Sequence, residues 1–222
     1  MGPGAAEEAV IREAARDVRY LVNRGYPRES AVRYVGDHHR LPEERRFILS
    51  RVVVPEQAAR ERRRKAVSME QIGGRDLHLD GYNVLITVES LLLGDPVYRC
   101  DDGMLRDVRG VFRSYRSSAV TAPALQAVLQ LIAPLQSPVQ ALFDQQISKS
   151  GELAGMVRGM MAELGVAGTA RTALDVDREL KRAGGVGGVV ATGDGNIIDA
   201  SLQVWDVPAE IARQQGIEVQ VI

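Results

Sequence analysis

The 222-residue chain carries 28 Lys and Arg against 29 Asp and Glu, a formal charge of −1, with 45% hydrophobic and 26% charged residues. This composition excludes a disordered, collagenous or disulfide-stapled chain and suits one substantial α/β domain with a small appended module. The single cysteine, Cys100, allows no intrachain disulfide, and the longest apolar stretch, Val84 to Leu93, is interrupted by Thr87, Glu89 and Ser90, well short of the ~20 residues that span a bilayer. The opening Met1-Gly-Pro-Gly-Ala-Ala-Glu-Glu has neither the basic start nor the apolar centre of a secretory signal, so a cytoplasmic protein without membrane contact is expected.

Residues 7–23 predict an amphipathic helix with Ala14, Val18, Leu21 and Val22 on one side and Arg12, Arg16 and Arg19 largely on the other. Asn23-Arg24-Gly25 ends it, Pro27 suits the first turn of a second helix closing near Gly36, and Leu41-Pro42-Glu43-Glu44 opens a third that buries Phe47, Ile48, Val52 and Val53. A trihelical unit of this kind can read nucleic-acid grooves. The run Arg60, Arg62, Arg63, Arg64 and Lys65 that follows supplies the electrostatic footprint for RNA, or else forms a solvated linker helix over 55–70. His38 and His39 are adjacent, so their rings cannot converge on one metal as a spaced pair would.

From Arg75 the texture changes to short apolar runs separated by helical patterns, the mark of a parallel sheet with crossover helices. The division predicted is therefore a helical module over 1–70 and an α/β domain over 71–222. Strands are predicted over 76–80, 139–143, 165–169, 188–192 and, at an edge, 217–221. Between the first two strands lie a turn-like acidic cluster at 97–103 and two helices, 104–116 and 122–134, with Thr121 capping the second. Later helices are predicted over 153–164, from Asp175/Asp177 to Ala183, and over 208–215. Gly184-Gly-Val-Gly-Gly precedes a strand and does not join strand to helix, so it is a turn and not a dinucleotide fingerprint.

Three predicted strands end in a carboxylate: Asp80, Asp144 and Asp194. In a parallel sheet those ends share one edge, where open α/β sheets bind ligands. Asp80-Gly81 can equally be a strand-to-helix turn with a cap. Carboxylates brought together repel, and one protonates unless a cation neutralises the group. Oxygen ligands without His or Cys suit Mg²⁺ or Mn²⁺, and an ion there points to phosphodiester hydrolysis.

Asp80-Gly-Tyr-Asn-Val and Thr192-Gly-Asp, with Asp144 and the Asp175/Asp177 pair between them, resemble the acidic motifs of the PIN-like nucleases, most closely their NYN branch. The resemblance covers roughly residues 75–222. It implies a PIN-like three-layer α/β/α sandwich with a mainly parallel sheet, Mg²⁺ or Mn²⁺ as cofactor, RNA as substrate and, by frequency among such proteins, a homodimer. It further implies that Asp80 and Asp194 are central metal ligands, that Asn83 orients water or phosphate, that Asp175 or Asp177 adds a helix-start acid, and that Asp144 is an additional one. The whole chain is also similar to a prokaryotic family that pairs a small helical domain with this one.

The 58 residues between Asp80 and Val139 are long for a compact NYN domain, and Asp101, Asp102 and Asp107 within them could replace a family acid. Glu89 either faces the site or solvates its helix. Ser148 to Glu152 either caps a helix or contacts phosphate. Two other functions fit the same edge: a catalytically inactive RNA-binding or assembly module, and a nucleotide-binding or phosphotransfer enzyme, the latter opposed by the lack of a glycine-rich phosphate loop.

Overall fold

The computed structural model describes residues 3–222, with side chains from Glu7 onward. Met1 and Gly2, the start of the segment read for a secretory signal, lie outside the described residues. Four helices come first: α1 (Pro3–Val22), α2 (Arg28–His38), α3 (Glu43–Val52) and α4 (Glu56–Lys65). Pro27, Pro42 and Pro55 each stand at the N-cap of the next helix, where a fixed φ and a missing N–H suit the turn. Ile11, Ala14, Ala15, Val18 and Val22 recur at helical spacing on α1 and pack against Ala31, Val32 and Val35 of α2 and Ile48, Leu49 and Val52 of α3. No helix of the described residues is long and apolar enough to cross a membrane.

The second part is β1 (Leu77–Asp80), α5 (Gly81–Leu93), β2 (Val97–Arg99), β3 (Leu105–Asp107), α6 (Thr121–Ile132), β4 (Val139–Asp144), α7 (Ser150–Glu163), β5 (Gly168–Ala173), α8 (Val176–Gly185), β6 (Val189–Ala191), α9 (Gly195–Ala200), β7 (Gln203–Trp205) and α10 (Val207–Gln215). Five strands form one parallel sheet in the order β5-β4-β1-β6-β7. Alternation divides its two faces. Leu77, Leu79, Val139, Ala141, Phe143, Val189 and Ala191 join the large core with α5, α6 and α7, whereas Leu142 and Val190 pack with Leu180 of α8 and Ile197 of α9. The expected α/β fold with a mainly parallel sheet and a helical N-terminal part is thus present. The chain builds outward from β1 to β4 and β5, then restarts on the other side with β6 and β7. Adjacent strands β1 and β6 mark the reversal, and crevices form at the carboxyl ends of such strands.

Three predicted elements differ. The third strand is 168–173 and not 165–169, because Gly165 turns the chain out of α7 with φ 66° and Val166 is still hydrogen-bonded to Met161. As an edge strand, β5 carries Thr and Arg in place of an apolar run. The segment 217–221 is not an edge strand of the main sheet; Gln220 pairs with the backbone of Val97 and Arg99, and β7 takes the edge. The predicted helix 104–116 is β3 followed by a short 3-10 turn at Phe112–Ser114, since Arg106 and Asp107 both face inward and Gly110 turns with φ 65°.

The β2–β3 hairpin (antiparallel) is the joint between the two parts. Tyr98 and Cys100 enter the core of α1–α3, and Arg19 holds Asp101 at 2.8 Å. Asp102, fully buried, accepts from Arg62 of α4 at 2.9 Å and from Arg106 of β3 at 2.7 and 2.9 Å. Burial alone would raise its pKa, but the hydrogen bonds and charge of Arg106, then Arg62, hold it below the ordinary carboxylate value. Glu89, also buried, accepts from the hydroxyls of Tyr115 at 2.7 Å and Thr121 at 2.6 Å, so it ties the long β1–β4 connection to α5 and neither faces the site nor solvates its helix. Thr121 is the first residue of α6 and makes this tie instead of acting as its N-cap.

Asp102→Asn should lower the free energy of unfolding by ~3–5 kcal/mol, because two guanidiniums lose their shared charge in a dry site; urea denaturation measures it. Gly81→Ala should destabilise by ~1–3 kcal/mol in the same assay, since a Cβ there would lie 2.5 Å from the Phe143 ring and 2.6 Å from the Leu142 carbonyl oxygen.

Candidate functional site

At the carboxyl edge of the sheet lies a cleft of about 650 Å³. Asp80, Asn83, Asp144, Asp175, Asp177 and Asp194 all line it, together with Asp107. Asp144, Asp175 and Asp194 arrive by the same local logic. A strand ends, the chain turns, and an aspartate stands where backbone N–H groups of the next turn need acceptors. Asp194 Oδ1 accepts from the N–H of Asn196 at 2.7 Å and of Ile197 at 3.3 Å; Asp175 accepts from Arg178 N–H at 3.0 Å; Asp144 accepts from Gln146 N–H at 2.7 Å. Capping and convergence therefore coexist, and each cap leaves a second carboxylate oxygen.

Asp80 is different. It occupies the N-cap position of α5 without a side-chain cap bond and instead accepts from the Thr192 hydroxyl at 2.7 Å. The same hydroxyl accepts from Asp194 N–H at 3.0 Å, so Thr192 fastens the end of β1 to the turn after β6. Asn83 Oδ1 accepts from Gly193 N–H at 2.6 Å, and Arg106 Nε donates to the Gly193 carbonyl at 2.6 Å. The 192–194 turn is thus clamped from both sides. Asn83 positions that turn through its oxygen; its amide nitrogen has no bond among the described residues.

Only 6% of Asp80 is exposed, and among the described residues no Lys or Arg pairs with it. Burial first, then the charges of Asp194 and Asp177, outweigh the Thr192 hydrogen bond and raise it to about 7. Asp177 is raised as well, by partial desolvation and by Asp194, against the nearby Lys181. The charge of Asp194 contributes to both shifts, so Asp80 and Asp177 each lie within its electrostatic reach.

Other expected site residues stand elsewhere. Asp101 pairs with Arg19 and Asp102 with Arg62 and Arg106, so neither acid belongs to the cleft. Asp107 does line it, but its oxygens accept from Thr87 and Arg109 N–H and face Arg51 at 3.6 Å. The basic run on α4 is not a free cationic face. Arg62 is buried between Asp102 and Asp199, Lys65 donates to the carbonyls of Ile198 and Asp199, Arg63 to the carbonyl of Asp101, and Arg60 pairs with Glu56. Arg64 alone of the five stays exposed without such a bond. Ser148 does not cap α7; Lys149 occupies that position with φ 65°.

The cleft also has walls that local reading of the chain did not anticipate. Phe47 and Arg51 come from α3, and Phe112 and Arg113 from the β1–β4 connection. The alternation Phe112-Arg113-Ser114-Tyr115-Arg116, aromatic with basic, was a signal available in the sequence.

Residues 69–210 match the family described as Domain of unknown function (DUF5616), and residues 10–65 match Protein of unknown function (DUF434). An uncharacterized protein of Methanocaldococcus jannaschii is 31% identical over 188 residues, covering 85% of this chain and 88% of that one. No solved structure matches the chain.

Asp80 keeps its proton to about pH 7 when folded but ionises near the ordinary carboxylate value when unfolded, so the folded state binds the extra proton between them. Stability from this group is fully present at about pH 4 and is lost as pH rises to 7. Asp80→Asn, which copies the protonated form, should match the parent at about pH 4 and exceed it by a few kcal/mol at pH 8, at about 1.4 kcal/mol per pH unit crossed. Denaturation of both at the two pH values tests this; an equal gap at each would refute the assignment.

Proposed function

The chain belongs to the DUF5616 family, and from the cleft inside that span we propose that it is a divalent-metal-dependent ribonuclease. The observation that carries this reading is the gathering of Asp80, Asp144, Asp175, Asp177 and Asp194, from four segments far apart in sequence, around one cleft, where a nearly buried Asp80 has no counter-cation among the described residues. The resemblance of Asp80-Gly-Tyr-Asn-Val and Thr192-Gly-Asp to PIN-like motifs of the NYN branch supports it and supplies RNA as the substrate class.

The donor set is all oxygen, as Mg²⁺ or Mn²⁺ requires. Among the described residues no three His, Cys, Asp or Glu side chains are grouped closely enough to hold a metal ion by themselves. The fit is therefore to an ion that keeps most of its waters and takes one or two carboxylates, as Mg²⁺ commonly does. Asp80 and Asp194 would hold it, with Asp177 and Asp144 beside them. Bound there, the ion would stabilise charge on the scissile phosphate and acidify a water. The chain's own part is positional. Thr192 holds Asp80 by one oxygen, Asn83 and Arg106 fix the turn that carries Asp194, and Asp177 and Asp144, which line the same cleft, would be the remaining proton acceptors.

The lack of a three-acid group favours a second reading, an RNA-binding or assembly module without catalysis. Labelled RNA incubated with the protein separates the two. The nuclease reading expects cleavage that needs Mg²⁺ or Mn²⁺, is stopped by EDTA, and is abolished in Asp80→Asn and Asp194→Asn while both variants still melt cooperatively. It also expects millimolar Mg²⁺ or Mn²⁺ to raise the melting temperature of the parent at pH 8 but not that of Asp80→Asn. Cleavage undiminished in both variants overturns it; RNA binding with neither cleavage nor a metal-dependent melt establishes the binding module.

A further inference from the structure

Beside the acidic cleft lies a second groove of about 620 Å³, and Arg113 lines both. Arg116 and Lys149 complete its cationic lining, which also includes Ser117, Ser148 and one carboxylate, Glu152. Arg113 and Arg116 are exposed and, among the described residues, have no carboxylate within ion-pairing distance. Lys149 is 73% exposed and faces Glu152 at 3.7 Å, a contact that water screens. These cations are thus free in the way that the buried Arg62 of α4 is not.

A cleft lined with aspartates repels the phosphates of any strand whose scissile bond enters it, so productive binding needs cations on the flank. The groove offers three, and one of them, Arg113, also lines the cleft. At the junction Phe112 is 43% exposed, with its ring edge-on to Tyr82 at 6.0 Å, and Phe47 lines the same cleft, 37% exposed. Exposed rings beside a cationic track suit unpaired bases, which stack, and not a duplex, whose bases are already stacked.

We propose that the Arg113–Arg116–Lys149 groove is a binding track for the phosphate backbone of single-stranded nucleic acid that leads into the acidic cleft. The identity of the strand as substrate rests on the ribonuclease reading above; the track itself does not. Backbone contacts do not distinguish sugars, so RNA and DNA strands should share the groove, and the cleft decides which is cut.

The test is fluorescence anisotropy of the full chain, in EDTA, with labelled RNA and DNA single strands of about twelve nucleotides and with the corresponding duplex. The variants are Arg113→Ala/Arg116→Ala and, as a control on the other basic segment, Arg60→Ala/Arg64→Ala. The first pair should weaken single-strand binding about tenfold or more and flatten the slope of log affinity against log salt by ~1.4, ~0.7 for each phosphate released. The control pair should change neither. Thermal melts of all variants identify any loss that comes from unfolding, and Arg113→Lys/Arg116→Lys should restore most of the affinity if charge is what acts. Unchanged affinity and slope in the alanine pair, or duplex bound as tightly as single strand, overturns the proposal. Cleavage by the parent with an unchanged slope in the alanine pair refutes the groove but leaves the nuclease; groove-dependent binding without cleavage refutes the nuclease but leaves the groove.

Discussion

Asp102 accepts hydrogen bonds from two guanidiniums that come from opposite directions, Arg62 on α4 and Arg106 on β3, with no water-exposed surface of its own. Desolvating three charges together is costly, and the arrangement is tolerated because every one is paired; Asp199 closes the far side of Arg62. What makes the cluster central is its second connection. Arg106 also donates to the Gly193 carbonyl, so the same ions that join the helical part to the β2–β3 hairpin hold the turn that carries Asp194. A Cβ on Gly195 would come within 2.6 Å of the Arg62 guanidinium, so a larger residue there would have to displace that side chain. Fold and cleft therefore share one electrostatic foundation.

The cleft concentrates the opposite problem. Arg51 faces Asp107 and Lys181 faces Asp177, but among the described residues no Lys or Arg pairs with Asp80, and burial first, then the charges of Asp194 and Asp177, raises its pKa to about 7. Thr192 moderates the burden by donating to Asp80 while its oxygen accepts from the backbone of Asp194. One hydroxyl thereby keeps two strand ends in register at the place where their charges push apart. The walls come from elsewhere, with Phe47 and Arg51 from α3 and Phe112 and Arg113 from the long connection after α5. The helical part is thus a structural side of the cleft, although its basic run is engaged in holding the molecule together.

Much of this architecture was legible. Strands β1, β4 and β6 are buried on both faces, so Leu77, Leu79, Val139, Phe143, Val189 and Val190 form runs that need no context. Asp80, Asp144 and Asp194 follow from strands ending at a common edge. What escaped was whatever depends on distant partners. Arg106 and Asp107 fell within the predicted helix 104–116 because nothing local reveals that Asp102, Thr87 and Arg51 await them inside. Arg62 looks like its neighbours Arg63 and Arg64 until Asp102 and Asp199 are brought beside it. Edge strand β5 lacks an apolar run because only Ala170 and Ala173 are buried, and a boundary three residues off was the result.

The shared pairing of Asp102 has a bearing on inheritance. The two family matches, 10–65 and 69–210, divide the chain at a point where Arg62 falls on one side and Asp102, Arg106 and Asp199 fall on the other. A lineage that shed the first segment would keep a sheet, a hairpin and all the aspartates of the cleft, yet would leave Asp102 with a single guanidinium and an opening where α3 and α4 had been. The two segments are thus joined by an ion cluster that neither of them completes alone.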